Sequence, residues 1–198
     1  MGNNVLGLAR SGLNVGGFGA EHVAPVQDQE NIGNFESITP WTAFSNDTTG
    51  IAVNAAHVLG SYSLEFDKVD GSDGEVFAGV SATLLPLNLS RFGLQDKIVG
   101  AFYVSGIGDI VNAFVRLGTD GSHYCYWTEL DSVPIVAGVW HVFSKTLAEM
   151  NVAVTGNGWN PAVTTYVAVG IEFDLEDDEL ADIRWDSLAI ERAIRTRT

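Results

Sequence analysis

From Phe35 onward, apolar and polar residues alternate in short runs separated by turn-forming residues. In SYSLEFD, Tyr62, Leu64 and Phe66 alternate with Ser63, Glu65 and Asp67. A period of two gives one buried and one wet face, so this run predicts a strand. KVDGSDGE then supplies turn chemistry. EVFAGVSATL, KIVGAFYVS, DIVNAFVRLG, HYCYWTEL, GVWHVFS, TTYVAVGIEF and DIRWDSLAI follow. These runs are rich in β-branched and aromatic residues and are bounded by Gly, Asp, Asn, Ser or Pro, as strands are. SKTLAEM is the one short helical or turn candidate. No strand–helix–strand unit appears, which disfavours a parallel sheet. Eight or more strands over roughly 160 residues predict two packed antiparallel sheets. The expected fold is all-β, a jelly-roll sandwich over residues 35–192.

Residues 1–34 have neither period, and Gly2, Gly7, Gly12, Gly16, Gly17, Gly19 and Gly33 punctuate them. Leu6, Leu8, Leu13, Val15 and Phe18 are spread along this stretch. It is expected to be an extended N-terminal arm, either packed on the body or docked on a neighbouring molecule. Residues 193–198 form a short basic tail, with Arg195 and Arg197 following Arg192. A solvated tail is the expected reading.

Composition narrows the function classes. The 198-residue chain is 46% hydrophobic and 18% charged, enough apolar content for one real core. A net charge of -15 repels phosphate backbones, so no nucleic-acid partner is expected. No apolar run reaches the ~18 residues of a membrane span, and MGNNVLGLAR lacks the pattern of a signal peptide. No membrane partner is expected. The single cysteine, Cys125, excludes an intrachain disulfide and is expected to be a small buried hydrophobe.

Aromatic residues supply the first candidate chemistry. Trp127, with Tyr124 and Tyr126, and Trp159 in TGNGWNP could stack a sugar ring, whereas Trp41, Trp140 and Trp185 are expected in the core. Trp159 sits in a Gly/Asn/Pro loop, which favours exposure. Arg116 joins Trp159 and Trp127 as a candidate glycan contact. Glu172, Asp174 and Glu176 would align on one face if their strand ran that far. Retaining glycosidases need two carboxyls ~5 Å apart. However, Asp177, Asp178 and Glu179 follow at once, which suggests a strand running out into an acidic loop, so no catalytic site is expected. His22, His57, His123 and His141 show no metal-ligand spacing.

The order of these segments resembles the carbohydrate-binding-module-like, or galactose-binding-like, jelly roll. NFES…W (Phe35, Glu36, Trp41), GSYSLEFD, LNLSRFGLQDKIVGAFYV, FVRLGTDGSHYCYW, GVWHVFSKTL and YVAVGIEF…LADIRWDSLAI carry the resemblance. The E-x-D-x-E string separately resembles the active-site strand of jelly-roll β-glucanases. The first resemblance implies a structural Ca²⁺ between the first and last strands, at the positions of Glu36 and Asp186. Jelly rolls of this type also occur in tailed-bacteriophage head decoration and cement proteins. The expectation drawn from it is a non-enzymatic virion protein on the capsid exterior. It would be a homo-oligomer, with a trimer favoured, whose arm binds capsid protein and sister subunits. The alternative is a glycan-binding module.

Overall fold

A computed structural model of the chain describes residues 29–33, 35–71, 76–107, 110–128, 130, 134–152 and 159–193. Strands are numbered in chain order. In one sheet β3 (Thr48–Asn54), β4 (Ser63–Lys68), β12 (Leu180–Glu191), β6 (Lys97–Tyr103) and β9 (Trp140–Thr146) lie side by side. Along the same margin of β12 as β4, but opposite its other end, lies β1 (Gln29–Asn31). The other sheet runs β10 (Asn151–Val152), β8 (His123–Trp127), β7 (Ile110–Asp120), β11 (Thr164–Phe173), β5 (Phe77–Leu87) and β2 (Thr42–Ala43). Every pairing is antiparallel. The protein is therefore the all-β, two-sheet sandwich that the alternation predicts. No helix among the described residues is long and apolar enough to cross a membrane.

The core lies between the sheets and follows the period of two. Leu64, Phe66, Ile98, Phe102, Ile183 and Trp185 face it from the first sheet. Val80, Val115, Leu117, Cys125, Trp127, Val167, Val169 and Ile171 face it from the second. Trp185 packs against Phe102 and Phe143, with ring centroids 5.5 and 6.0 Å apart. Each large side chain buried here is worth about 1.5–3 kcal/mol.

One charge enters the seam between the sheets. Lys68 ends β4 with its side chain fully buried, 3.2 Å from the Asp47 carboxylate. It also donates to the carbonyls of Glu176 at 2.7 Å and Val69 at 3.3 Å. These contacts tie the loop before β3 to the acidic loop after β11.

Two expectations change at the element ends, and the run-out of the acidic strand into a loop holds. Gln29–Asn31 pairs with β12 and Ile32 is buried, so the sandwich takes in residues that the reading of the arm had assigned to it. SKTLAEM divides between the end of β9 and a single 3-10 turn, Leu147–Glu149, closed by a capping box between Thr146 and Glu149. β11 stops at Phe173, leaving Asp174 and Glu176 in a loop. Leu6, Leu8, Leu13, Val15 and Phe18 lie outside the described residues.

Candidate functional site

The outer face of the second sheet carries the densest aromatic chemistry. On β8, Tyr124 and Tyr126 point outward while Cys125 and Trp127 point into the core, because neighbouring strand residues alternate. Tyr124 stands opposite Gly118 of β7, and Gly118 stands opposite Tyr166 of β11. A glycine between two tyrosines lets the rings approach each other across the strand. A Cβ on Gly118 would lie 2.1 Å from the His123 carbonyl. The result is a run of three half-buried rings: Tyr126 to Tyr124 at 6.3 Å and Tyr124 to Tyr166 at 6.4 Å between centroids.

Arg116 lies beside this run, paired across the ladders with Tyr126 on one side and Ala168 on the other. Its guanidinium sits 4.9 Å from the Tyr124 ring. On its far side it lies 4.7, 5.0 and 5.5 Å from Phe114, Phe44 and Phe77. Those three phenylalanines form a small cluster of their own on the outer face, with centroids 5.9 to 6.3 Å apart. Gly79 and Gly170 make room for it: a Cβ there would meet the Phe44 ring at 2.2 Å and the Phe114 ring at 2.6 Å. Arg116 thus caps a packed cluster and borders an open run of tyrosines. Burial pushes the Tyr166 phenol above its ordinary pKa, and the neighbouring Arg116 charge pulls it back.

Polar groups frame the face. Asp120, at the β7–β8 turn, accepts hydrogen bonds from the Ser122 and His123 amides at 2.8 and 2.9 Å and contacts the His123 ring at 2.9 Å. These donors hold its carboxyl below the usual range, with the Ser122 amide the largest cause. At the other end, the Glu172 carboxylate faces the Asn112 amide at 3.4 Å. Glu172 therefore stands alone on this face, separated from Asp174 and Glu176 by the end of the strand.

Arg116 is thus placed where a ligand could meet it, whereas of the two tryptophans expected beside it Trp127 is in the core and Trp159 packs against the core while remaining half-buried. Trp127 is 1% exposed and donates its indole N–H to the Thr146 carbonyl at 3.0 Å. Trp159 is partly buried against the core, edge-on to Trp127 at 6.3 Å, and donates to the Thr164 hydroxyl at 2.7 Å. Both belong to the packing. Tyr166 escaped the sequence reading. The signal for it was available, because in TTYVAVGIEF the residues Val167, Val169 and Ile171 form the apolar face and so turn Tyr166 outward.

A concavity of about 850 Å³ lies on the outer face of the first sheet. Val99, Ala101 and Val142 form its floor, and Glu36, Asp186 and the Val58–Gly60 loop border it. Here β12 is bulged between Asp186 and Ala189, with Ser187 left-handed at φ 61°. Asp186, 4% exposed, accepts the Val58 and Leu59 amides at 2.6 and 2.8 Å. Glu36 accepts the Ser61 amide with both oxygens, at 2.9 and 3.1 Å. The two residues singled out for calcium do converge, but on the amides of one loop. Glu191 also lines this concavity, but no three His, Cys, Asp or Glu side chains gather closely enough to hold a metal among the described residues. Calcium takes six to eight oxygens. A pair of carboxylates already occupied by N–H donors does not fit it.

No protein-family model matches the chain, and no curated protein matches it. Among solved structures, a family 30 carbohydrate-binding module superposes with a TM-score of 0.58 at 11% identity, covering 85% of this chain and 98% of that one. A family 11 carbohydrate-binding module from Clostridium thermocellum, in complex with a β-1,3-1,4-mixed-linked tetrasaccharide, gives 0.56 at 10%, covering 85% and 98%. A third structure, from work on carbohydrate-binding modules of the β-sandwich superfamily, gives 0.54 at 13%, covering 80% of this chain. The chain spans 60% of the length of that third protein. At these identities the likeness is one of fold: the chain shares the carbohydrate-binding-module β-sandwich.

Proposed function

We propose that this protein is a glycan-binding module whose site is the outer face of the second sheet. Tyr126, Tyr124 and Tyr166 would stack sugar rings, and Arg116 would donate hydrogen bonds to ring substituents. The observation that carries this reading is the run of three tyrosines, spaced 6.3 and 6.4 Å, on the outer sheet face beside that guanidinium. Aromatic faces attract the apolar C–H faces of sugars, and Tyr adds a hydroxyl that hydrogen-bonds at the rim. The structural likeness to carbohydrate-binding modules, one of them solved with a mixed-linked glucan, supports the same reading. The capsid-decoration reading rested on the apolar residues of the arm, which lie outside the described residues. The structural likeness supports the glycan-binding alternative instead.

Calorimetric titration with a soluble β-1,3-1,4-glucan oligosaccharide is the direct test, with uronate and sulfated oligosaccharides beside it. Tyr166→Ala is expected to weaken binding by about tenfold or more, since buried aromatic anchors carry 1–2 kcal/mol or above. Trp140→Ala, on the outer face of the other sheet, should leave affinity unchanged. If no oligosaccharide binds, or if both variants bind like the wild type, this face is not a sugar site.

A further inference from the structure

The tyrosine face holds a charge that no carboxylate among the described residues compensates. The chain has 25 acidic residues against 10 Lys and Arg, so basic side chains find carboxylates readily. Lys68 pairs with Asp47, Arg91 with Glu30, Lys145 with Glu149 and Arg184 with Glu65. Arg116 pairs with no carboxylate among the described residues. Its neighbours are four rings, at 4.7 to 5.5 Å, and the Tyr166 hydroxyl. Rings attract a cation through their quadrupoles, but they bring no countercharge. The guanidinium is a rigid fork of five N–H donors whose geometry matches a carboxylate or a sulfate oxyanion.

We infer that the glycan selected by this face is acidic, a sugar bearing a carboxylate or a sulfate whose oxyanion sits on Arg116. This inference rests on the glycan-binding reading above and narrows its substrate class. A neutral sugar seated on the tyrosines would strip water from Arg116 and leave its charge uncompensated. An oxyanion there replaces the lost hydration with a paired, hydrogen-bonded charge. The net charge of -15 does not forbid this. At physiological ionic strength, exposed charges are screened beyond about 8 Å, so the contact is decided locally.

Three probes at physiological salt test the inference: oligogalacturonate, a sulfated galactan oligosaccharide and a neutral mixed-linked β-glucan oligosaccharide. The wild type is expected to bind one of the two acidic probes at least about tenfold more tightly than the neutral one, as a charge-assisted hydrogen bond implies. Which acidic probe wins identifies the oxyanion. Arg116→Gln should erase the acidic-over-neutral preference, read as the ratio of the affinities whatever the neutral affinity becomes, and Arg116→Lys should retain only part of it, because a point charge lacks the fork. The wild-type ranking is itself decisive should either variant fold poorly. Neutral binding that depends on Tyr166, with no acidic preference, overturns this inference and leaves the glycan-binding reading standing. Failure of all three probes overturns both.

Discussion

The two outer faces use the same residue types to opposite ends. On the first sheet, Arg184 lies 4.6 Å over the Tyr103 ring, and Tyr103 packs against Trp140 at 5.8 Å. That arginine, however, is 2.6 Å from Glu65 and 3.4 Å from Asp182, and Asn54 donates to Glu65 at 2.6 Å. On the second sheet, Arg116 lies 4.9 Å from Tyr124 with no carboxylate among the described residues. An arginine on an aromatic ring is therefore uninformative until its countercharge is located. The shapes of the two faces add to this contrast. The first face has the 850 Å³ groove, but its floor is aliphatic and its carboxylates are occupied by loop amides. The second face offers the rings and a guanidinium without a carboxylate partner among the described residues.

The largest expected effect concerns the seam that carries both faces. Lys68→Met keeps the volume and removes the charge, leaving Asp47 buried without a countercharge. Breaking a buried pair in this way typically costs about 3–5 kcal/mol. Urea unfolding should show a large loss, and Asp47→Asn added to it should recover part of that loss. Oligosaccharide affinity of the folded fraction should be unchanged. A loss below about 1 kcal/mol would mean that Asp47 reaches water, contrary to its burial.

Next in size is a change confined to the first face. Asp186 takes two loop amides, so Asp186→Ala should free the Val58–Ser61 loop at a cost of about 1–2 kcal/mol, less than two fully buried charge-assisted bonds because the loop is exposed. Hydrogen exchange at the Val58 and Leu59 amides reads this directly. Faster exchange there with intact sugar binding separates the two faces. If sugar affinity fell as well, the groove would belong to the binding site and the comparison would collapse.

The period of two placed Leu64 and Phe66 inside and predicted the sandwich, because strand alternation is a local property. The same alternation in HYCYW separates Trp127 from Tyr124 and Tyr126. Yet grouping residues by aromatic character alone put all three at one site. What no local pattern reveals is registry between distant strands. Tyr166 meets Gly118 and Tyr124 only through the β11–β7–β8 ladders, and Arg116 meets Phe44 only because β2 docks on β5. Glu36 and Asp186 were paired by resemblance. They do converge, but the loop whose amides occupy them is a long-range consequence of the fold.

The smallest expected effect is a titration on the second face. Asp120 closes the β7–β8 turn that carries Tyr124 and Tyr126, and its carboxyl is held below the ordinary value of 3.8, chiefly by the Ser122 amide and then by His123. A folded-state pKa below the unfolded one means that its contribution is present above the unfolded value. That contribution is lost as pH falls through the folded value. Exchange at the Ser122 and His123 amides, corrected for intrinsic rates, should therefore rise as the pH falls below about 4. Asp120→Asn should show the faster exchange already at neutral pH and lose the acid-side rise. Because the carboxyl is fully exposed, the global unfolding midpoint should hardly move, which sets this turn apart from the Lys68 seam. If protection at these amides did not fall below about pH 4, the turn would be governed by a group other than Asp120. The tyrosine run would then not be anchored as described.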